Sequence, residues 1–369
     1  MRIGVPRETK IMEYRVGMVP DAVTSLARSG HEIWVETGAG EGSGFRDEDY
    51  ERVGARIASR EEAWSEPDLV VKVKEPQPDE VALMRKDQVL FTYLHLAANR
   101  ELTECLCEAN VIALAYETIQ NPDGSFPVLA PMSEVAGRLA TQIGVGLLQK
   151  DRGGKGILLG GVPGVARGRV VIIGAGTVGI NAARVAHALG AEVDVFDIDL
   201  KRLTYLYDIF HGELSTLYAD TANIERSVAQ ADLVIGAVYL NGRRAPILVT
   251  EETVGRMAPG SVIVDVAVDQ GGCVETIHPT THADPTYLVH DVVHYGVANM
   301  PGAVPQTSTR ALTNTTLPFI ERIASAGVEA AVRDSPALCL GANVWGGCVV
   351  HEGVGASLEM EVAALPGRS

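Results

Sequence analysis

The chain has 369 residues, of which 46% are hydrophobic and 21% are charged. This balance is typical of a globular protein of about two domains, and the length excludes a small scaffold that depends on disulfides. The formal net charge of −16 would repel nucleic acid and anionic membrane surfaces over long range. We therefore predict small-molecule partners, with no nucleic acid and no membrane.

The sequence shows no pattern typical of a membrane span or a signal peptide. The longest stretch without charged residues or histidine, 335–350, covers 16 residues and is interrupted by glycine and proline, whereas a spanning helix needs about 20 apolar residues. The first residues lack the apolar core of a signal peptide, which predicts a cytoplasmic protein. The five cysteines form no C-x-x-C pair, which favours reduced structural thiols over disulfides or a metal site.

The first third of the chain alternates strand-like and helix-like segments. Strand-like runs cover 2–6 and 31–37 on either side of a helix-like segment, 20–29, and further strand-like runs cover 69–73, 88–92 and 111–115. This alternation predicts a largely parallel sheet with helices on its faces. A glycine-rich segment at 38–44 follows the second run, but it lacks the third small residue of a cofactor turn, so we predict an ordinary turn.

The middle of the chain contains a turn signal and then a long helical pattern. The turn tetrad 121–124 predicts a hairpin between strands at 116–120 and 126–129. After it, Val135, Leu139, Ile143 and Leu147 recur at helical spacing, which predicts a helix that continues to about residue 150 and joins two domains.

A second series of strands and helices follows a glycine-rich loop at 153–164. Apolar runs typical of strands buried on both faces cover 169–173, 192–197, 214–218, 232–237 and 261–265, and helical patterns cover 312–326 and 352–364. The whole chain therefore predicts an α/β fold class: two doubly wound Rossmann-like domains with mainly parallel sheets, joined by long helices.

The segment Gly174-Ala-Gly176-Thr177-Val178-Gly179 is a dinucleotide-binding fingerprint in the expected context, between a strand and a helix. Its glycines permit a tight turn, close approach of a pyrophosphate, and close packing of helix on strand. Asp197 ends the next strand, where a carboxylate accepts hydrogen bonds from ribose hydroxyls and repels a 2′-phosphate. We therefore predict NAD rather than NADP, a preference that nearby Arg202 weakens only slightly.

Candidates for the reacting centre are polar residues at the carboxyl ends of strands. Arg15 with Lys72 or Lys74 could hold a small carboxylate, and spacing alone does not choose between the two lysines. His95 could transfer protons near neutral pH, and Asp269 could orient water. Each of these residues taken alone also fits a structural or surface role, so the residues by themselves indicate an NAD-dependent oxidoreductase that acts on a small acid.

Longer blocks of sequence resemble the alanine dehydrogenase family, which shares ancestry with the nucleotide-binding component of proton-translocating transhydrogenase. The resemblance covers nearly the whole chain and is carried by blocks at 4–8, 13–16, 72–76, 90–96, 131–138, 158–164, 269–272 and 299–308.

The resemblance implies roles for individual residues. Arg15 and Lys74 would hold the substrate carboxylate, and His95 and Asp269 would be catalytic. With the fingerprint glycines, the expected NAD contacts are Ser133, Gly174, Gly176, Thr177, Val178, Gly179, Asp197, Arg202, Asp220, Val238, Tyr239, Val266, Ala267, Val268, Asp269, Val297, Ala298, Asn299 and Met300. Asp220 stands where relatives often carry serine.

The resemblance also implies an activity and an organisation. The activity is reversible NAD-dependent oxidative deamination of L-alanine to pyruvate and ammonium. The substrate domain would comprise 1–128 plus 306–369, the NAD-binding domain 129–305, and the assembly would be a homohexamer. Two alternatives are a transhydrogenase-type NAD(H)-binding subunit, which would need a membrane partner, and a noncatalytic NAD-binding protein, which would be expected to have lost one of the four site residues that this chain retains.

Overall fold

The computed structural model describes residues 1–238 and 245–366, and the chain divides into two compact units. One unit contains Met1–Met132 and Gly302–Ser369, and the other contains Ser133–Pro301. The strands in chain order are β1 (Arg2–Val5), β2 (Glu32–Glu36), β3 (Arg56–Ala58), β4 (Leu69–Val71), β5 (Val89–Thr92), β6 (Ile112–Ala115), β7 (Arg169–Ile173), β8 (Glu192–Asp197), β9 (Ser215–Tyr218), β10 (Leu233–Gly236), β11 (Val262–Asp265), β12 (Thr286–Val289), β13 (Val292–Tyr295), β14 (Ala342–Trp345) and β15 (Cys348–Val349).

The helices connect these strands and cover their faces. In chain order they are α1 (Pro20–Arg28), α2 (Asp47–Glu51), α3 (Arg60–Ser65), α4 (Pro78–Val81), α5 (Arg100–Glu108), α6 (Ala130–Leu147), α7 (Thr177–Ala188), α8 (Leu200–Ile209), α9 (Thr221–Val228), α10 (Glu251–Val254), α11 (Pro305–Ala326), α12 (Val328–Arg333), α13 (Pro336–Gly341) and α14 (Glu352–Leu358). Short 3-10 helices cover Glu41–Ser43, Leu96–Ala98, Tyr116–Thr118, Lys150–Arg152, Val266–Gln270 and Met300–Ala303. Among the described residues, no helix is both long enough and apolar enough to cross a membrane.

The sheet of the first unit has the strand order β15-β14-β6-β5-β4-β1-β2-β3. The strands from β6 to β3 are parallel, whereas β14 and β15 add antiparallel strands at one edge. Successive residues of β4 point to opposite faces, so Leu69 and Val71 join one apolar cluster and Val70 joins another. Burial on both faces explains why these strands are continuous apolar runs in the sequence.

The sheet of the second unit has the order β12-β13-β11-β10-β7-β8-β9, in which only β12 is antiparallel to its neighbour among the strands described. From β9 to β13 this is the strand order 3-2-1-4-5-6 of the dinucleotide-binding α/β fold, and β3 to β6 repeat it in the first unit. The predicted fold class of two doubly wound, mainly parallel domains is therefore confirmed.

Most predicted elements lie within one or two residues of their observed bounds, and the predicted turn at 38–44 contains the 3-10 helix Glu41–Ser43. The predicted hairpin around 121–124 is wrong. The turn itself is present, since the Gly124 amide donates to the Asn121 carbonyl at 2.9 Å, but 116–118 form a 3-10 helix and 126–129 form no strand. Buried Tyr116 packs edge-on against Phe91, and this packing holds the chain in a tight turn after β6.

The prediction of a C-terminal helix over 352–364 is also wrong in its extent. Helix α14 ends at Leu358, because Glu359 adopts a left-handed conformation with φ 52°. The chain then reverses, and the Ala363 amide donates to the Val349 carbonyl at 2.8 Å. This non-local pairing with β15 leaves no trace in the local sequence pattern.

Candidate substrate and dinucleotide sites

In the first unit, three polar side chains follow adjacent parallel strands. Arg15 lies in the loop after β1, Lys74 lies beyond the end of β4, and His95 lies beyond the end of β5. Since β1, β4 and β5 are neighbours in the sheet, their carboxyl ends meet at one edge. Ligands of doubly wound folds bind outside this edge.

Arg15 is held rigidly by an acidic neighbour. Its side chain is 2% exposed, and its Nε and Nη2 atoms donate to the two carboxylate oxygens of Glu13 at 2.7 and 2.6 Å. Burial alone would lower the pKa of Arg15, but the hydrogen bonds and negative charge of Glu13 outweigh burial and raise it. Arg15 therefore stays charged, with its guanidinium plane fixed by a bidentate pair.

The two candidate lysines have different surroundings. The Lys72 ammonium is buried, 3.1 Å from a Glu8 oxygen and 3.5 Å from a Glu80 oxygen. Lys74 is partly buried, and burial together with the positive charge of Arg15 lowers its pKa. Arg15 shares its charge with Glu13, but the ammonium of Lys74 beside it adds a second positive charge that favours an anionic ligand, whereas the Lys72 charge is paired with two carboxylates.

His95 is exposed and has an uncommon backbone conformation. Its φ of 52° and ψ of 35° lie in the left-handed region, which non-glycine residues seldom occupy. Its ring stacks on that of Tyr93, with the centroids 5.9 Å apart, and the Tyr93 hydroxyl donates to the Val128 carbonyl at 2.8 Å. Stacking on an anchored ring limits the orientations of the imidazole.

In the second unit, the fingerprint glycines meet the steric demands of the turn between β7 and α7. Gly174 has φ 111°, and a Cβ there would lie 2.5 Å from the Ala237 carbonyl oxygen. A Cβ on Gly179 would clash with the Gly174 carbonyl oxygen, because the two atoms would lie much closer than their van der Waals contact distance. Around Gly176, by contrast, the nearest atom to such a Cβ is Arg202 Nη1 at 3.9 Å, so space remains beside this part of the backbone.

The first turn of α7 offers a place for an anion. Gly176 precedes α7 and supplies no side-chain hydrogen bond to its first turn, which begins with Thr177 and Val178. Helix N-termini carry unpaired N–H groups and a partial positive charge, and both features suit a phosphate. The open space beside Gly176 and the uncapped helix start together fit a pyrophosphate.

Asp197 ends β8, and its carboxylate is hydrogen-bonded to the turn between β7 and α7. Its Oδ2 accepts a hydrogen bond from the Ala175 amide at 2.7 Å, and its Oδ1 accepts one from the Asp199 amide at 2.8 Å. Arg202 Nη1 lies 3.6 Å from Asp197 Oδ2, and the Arg202 side chain is 55% exposed. Each carboxylate oxygen can accept a further bond, so Asp197 keeps acceptor capacity for ribose hydroxyls.

The remaining predicted NAD contacts lie mainly at the carboxyl ends of parallel strands. Val238 follows β10 and is half-buried, while Tyr239 lies outside the described residues. Asp220 follows β9 and is exposed, and its carboxylate caps α9 by accepting from the Asn223 amide at 2.8 Å. Asp220 thus has a structural role in the fold. Ser133 is half-buried in α6.

The segment after β11 is organised by a buried carboxylate, Asp265. Asp265 accepts hydrogen bonds from the amides of Ala267 and Cys273 at 2.8 and 2.7 Å. Burial raises its pKa, although these hydrogen bonds oppose the shift. The 3-10 helix Val266–Gln270 that Asp265 caps buries Ala267 and Val268, leaves Val266 half-buried and exposes Asp269.

The segment after β13 contains the last predicted contacts. Val297 and Met300 are buried, whereas Ala298 and Asn299 are half-buried. Asn299 has a left-handed backbone with φ 61°. The structure thus places Arg15, Lys74 and His95 at one strand edge of the first unit. It places Asp197 at a strand end of the second unit, and Gly174, Val238, Asp269 and Asn299 beyond other strand ends of that unit.

Sequence reasoning missed the carboxylates that support these residues. Glu13 holds the Arg15 guanidinium, and Glu8 accepts hydrogen bonds from the amides of Val73 and Lys74 at 2.7 and 3.3 Å. Glu117 supports His95 in a similar way. Only Glu13 had a usable signal, because it lies two residues from Arg15. The partners of Glu8 and Glu117 are distant in the chain.

The sheet order, the glycine turn and the acid at the end of the second strand define a dinucleotide-binding α/β protein. Comparison with protein-family models then identifies the family. Residues 4–136 match the family described as "Alanine dehydrogenase/PNT, N-terminal domain", and residues 140–352 match "Alanine dehydrogenase/PNT, C-terminal domain". The chain belongs to the alanine dehydrogenase/PNT family.

Individual relatives agree with this assignment over the full length. The chain is 52% identical over 366 residues to "Alanine dehydrogenase 2" of Staphylococcus aureus (strain USA300), a match that covers 99% of this chain and 98% of that protein. Among solved structures, "L-alanine dehydrogenase" matches with a TM-score of 0.95 and 54% identity, over 97% of this chain and 99% of that one. A transhydrogenase from Sinorhizobium meliloti matches with a TM-score of 0.83 and 25% identity, over 95% and 99% of the two chains.

Proposed function

We propose that this protein is an NAD-dependent amino-acid dehydrogenase that interconverts L-alanine with pyruvate and ammonium. The observation that carries the proposal is the placement of Arg15, Lys74 and His95 at one edge of a parallel sheet. The edge therefore combines two cations for a carboxylate with an imidazole for proton transfer. Similarity over the whole chain to alanine dehydrogenases supports the same activity.

In this proposal the two domains expected from the sequence bind different ligands. Residues 1–128 plus 306–369 form the substrate domain, and residues 129–305 form the NAD-binding domain. The open space beside Gly176 and the uncapped start of α7 fit the pyrophosphate of a dinucleotide, and Asp197 would accept bonds from the adenosine ribose. Bound NAD supplies the acceptor for the hydride that leaves the substrate α-carbon.

The chain's own residues would orient the substrate and move protons. Arg15 and Lys74 hold the substrate carboxylate, which fixes the direction in which the α-carbon hydrogen points. Loss of that hydrogen as hydride leaves an imine; His95 then takes a proton from the attacking water, and Asp269 orients this water and balances positive charge. The overall reaction converts L-alanine, NAD and water to pyruvate, ammonium, NADH and a proton.

The discriminating experiment follows NADH absorbance with the purified protein. We expect NADH oxidation only when pyruvate and ammonium are both present, with NADPH a much poorer donor because Asp197 would repel its 2′-phosphate. Pyruvate alone and ammonium alone are the controls. Binding of NADH without oxidation would instead favour a transhydrogenase-type subunit or a noncatalytic NAD-binding protein.

We also propose a cytoplasmic location and a homohexameric assembly. The five cysteines are free, as is usual for proteins in a reducing compartment. The hexamer rests on the resemblance to the alanine dehydrogenase family.

A further inference from the structure

We propose that Glu117 is a positioning residue that holds His95 in its working conformation through the backbone. The inference rests on the proposed function, in which the His95 imidazole moves protons to and from the substrate. Glu117 takes no part in the proton transfers of this scheme. Its contribution is to fix the chain from which the imidazole extends.

The contacts of Glu117 are directed at the backbone immediately before the imidazole. Glu117 Oε1 accepts a hydrogen bond from the His95 amide at 2.6 Å, and both carboxylate oxygens lie within 3.3 Å of the Leu94 amide nitrogen. These two amides belong to the residues at which the chain enters the left-handed conformation of His95, with φ 52°. The carboxylate therefore acts where the backbone adopts a strained conformation.

The sheet explains why a side chain is needed there. Strands β5 and β6 pair in parallel up to Thr92 and Ala115, and within the described parts of the chain no strand continues this pairing to the amides of Leu94 and His95. The chain after β6 turns into the 3-10 helix Tyr116–Thr118, which presents the Glu117 carboxylate to both amides. Beyond the end of the β5–β6 pairing, the Glu117 carboxylate therefore provides the acceptor that a backbone carbonyl provides between paired strands.

Neighbouring contacts hold Glu117 itself in place. Tyr116 is buried and packs edge-on against both Phe91 and Tyr93. On the other side, Asn343 Nδ2 donates to Thr118 Oγ1 at 2.8 Å. Because both neighbours of Glu117 are anchored, the carboxylate has little freedom to move away from His95.

A glutamate carboxylate accepts backbone hydrogen bonds in the same way at the end of the neighbouring strand. Glu8 follows β1 and accepts hydrogen bonds from the amides of Val73 and Lys74, beyond the end of β4. The loops that carry Lys74 and His95 are therefore each supported by a carboxylate from the segment that follows the adjacent strand of the sheet. This recurrence at two site residues argues against an incidental contact at Glu117.

The test uses steady-state oxidation of NADH with pyruvate and ammonium in the full-length protein. Glu117→Met keeps the side-chain length but removes the acceptors, and we expect kcat to fall about 10-fold to 100-fold. The KM for pyruvate and the affinity for NADH should stay within about threefold, because Arg15 and Lys74 are untouched. Glu117→Gln should restore kcat to within about threefold of wild type, since its amide oxygen can still accept from both amides.

A double-mutant cycle separates positioning from general destabilisation. His95→Ala should lower kcat about 100-fold or more, and adding Glu117→Met to it should cause no further loss, because Glu117 acts only through His95. Glu62→Met is the matched control: the Glu62 carboxylate also accepts a backbone hydrogen bond, from Ser59 at 3.0 Å. This variant should leave kcat unchanged.

The proposal is overturned if Glu117→Met keeps wild-type kcat, or if it costs the same factor with and without His95. Should that variant fail to fold, Glu117→Asp replaces it, because aspartate keeps the charge but retracts the acceptor by one methylene. We then expect the aspartate variant to be slower than the glutamine variant, and the reverse order would overturn backbone positioning. Failure of the proposed function looks different, since the wild-type protein itself would then oxidise no NADH.

Discussion

At the scale of single residues, His95 combines local strain with strong support. A left-handed conformation costs a non-glycine residue about 1–3 kcal/mol, whereas a hydrogen bond to a charged acceptor contributes about 1.5–3 kcal/mol. The hydrogen bonds from Leu94 and His95 to Glu117 can therefore offset the strain. These hydrogen bonds involve only backbone amides. Glu117 can therefore hold the backbone of His95 without occupying the imidazole nitrogens, which would transfer protons.

Lys74 is expected to make substrate binding depend on pH. Burial and the charge of Arg15 lower its pKa, so its ammonium loses the proton at lower pH than that of an exposed lysine. A bound carboxylate favours the charged form. Pyruvate should therefore bind most tightly below the lowered pKa of Lys74, and its affinity should fall as the pH rises through that value.

The measurement is the affinity of the NADH-bound enzyme for pyruvate, followed by NADH fluorescence from about pH 7 to about pH 10. Ammonium is omitted because it titrates in the same range. Lys74→Arg is the matched control, since a guanidinium stays charged throughout, and its pyruvate affinity should vary much less with pH. Equal pH dependence in wild type and Lys74→Arg would contradict the assignment.

At the scale of elements, the turn from β7 into α7 separates a structural glycine from a binding glycine. A Cβ on Gly179 would collide with the Gly174 carbonyl oxygen, whereas one on Gly176 meets nothing closer than 3.9 Å. Gly179→Ala should therefore destabilise the protein by about 1–3 kcal/mol through overpacking. Gly176→Ala should leave stability unchanged and weaken NADH binding at least about 10-fold, because the methyl group fills the space proposed for the pyrophosphate.

Thermal melting and NADH fluorescence titration report the two effects independently. Gly255→Ala is the control in the same unit, because a Cβ there meets ordinary contacts at 3.5 Å and beyond. It should change neither quantity. Normal NADH affinity in Gly176→Ala would refute the role proposed for this turn.

The elements that could be predicted are those that local sequence specifies. The strand β7, the glycine turn and α7 follow from an apolar run, steric demands and helical spacing, all within 20 consecutive residues. The residues alone left Lys72 and Lys74 as alternatives, and the resemblance to the family favoured Lys74; the structure adds that the Lys72 ammonium is paired with Glu8 and Glu80. The role of Glu117 could not be predicted from the sequence, because its partners are backbone amides 22 and 23 residues away in the chain.

At the scale of the whole molecule, two sheets with the same parallel strand order account for the success of the predicted fold class. Most of the parallel strands are buried apolar runs separated by helices, a pattern that can be recognised in the sequence, although the edge strands β3 and β9 are only partly buried. The short antiparallel strands β12, β14 and β15 were missed, and so were the short parallel strands β3 and β13. These strands are short, and β14 pairs with β6, which is distant in the sequence, so the local hydrophobic periodicity did not predict them.

The proposed hexamer leads to a prediction about ionic strength. Each chain carries a formal charge of −16, so six associated chains repel one another unless salt screens the charge. The screening length is about 10 Å at 0.1 M salt and about 30 Å at 0.01 M. Light scattering coupled to gel filtration should therefore give six times the chain mass at 0.1 M salt and above, with smaller species appearing towards 0.01 M. Monomers at every salt concentration would contradict the assembly, and a hexamer that strengthens on dilution of salt would show that contacts of opposite charge, rather than apolar contacts, hold it together.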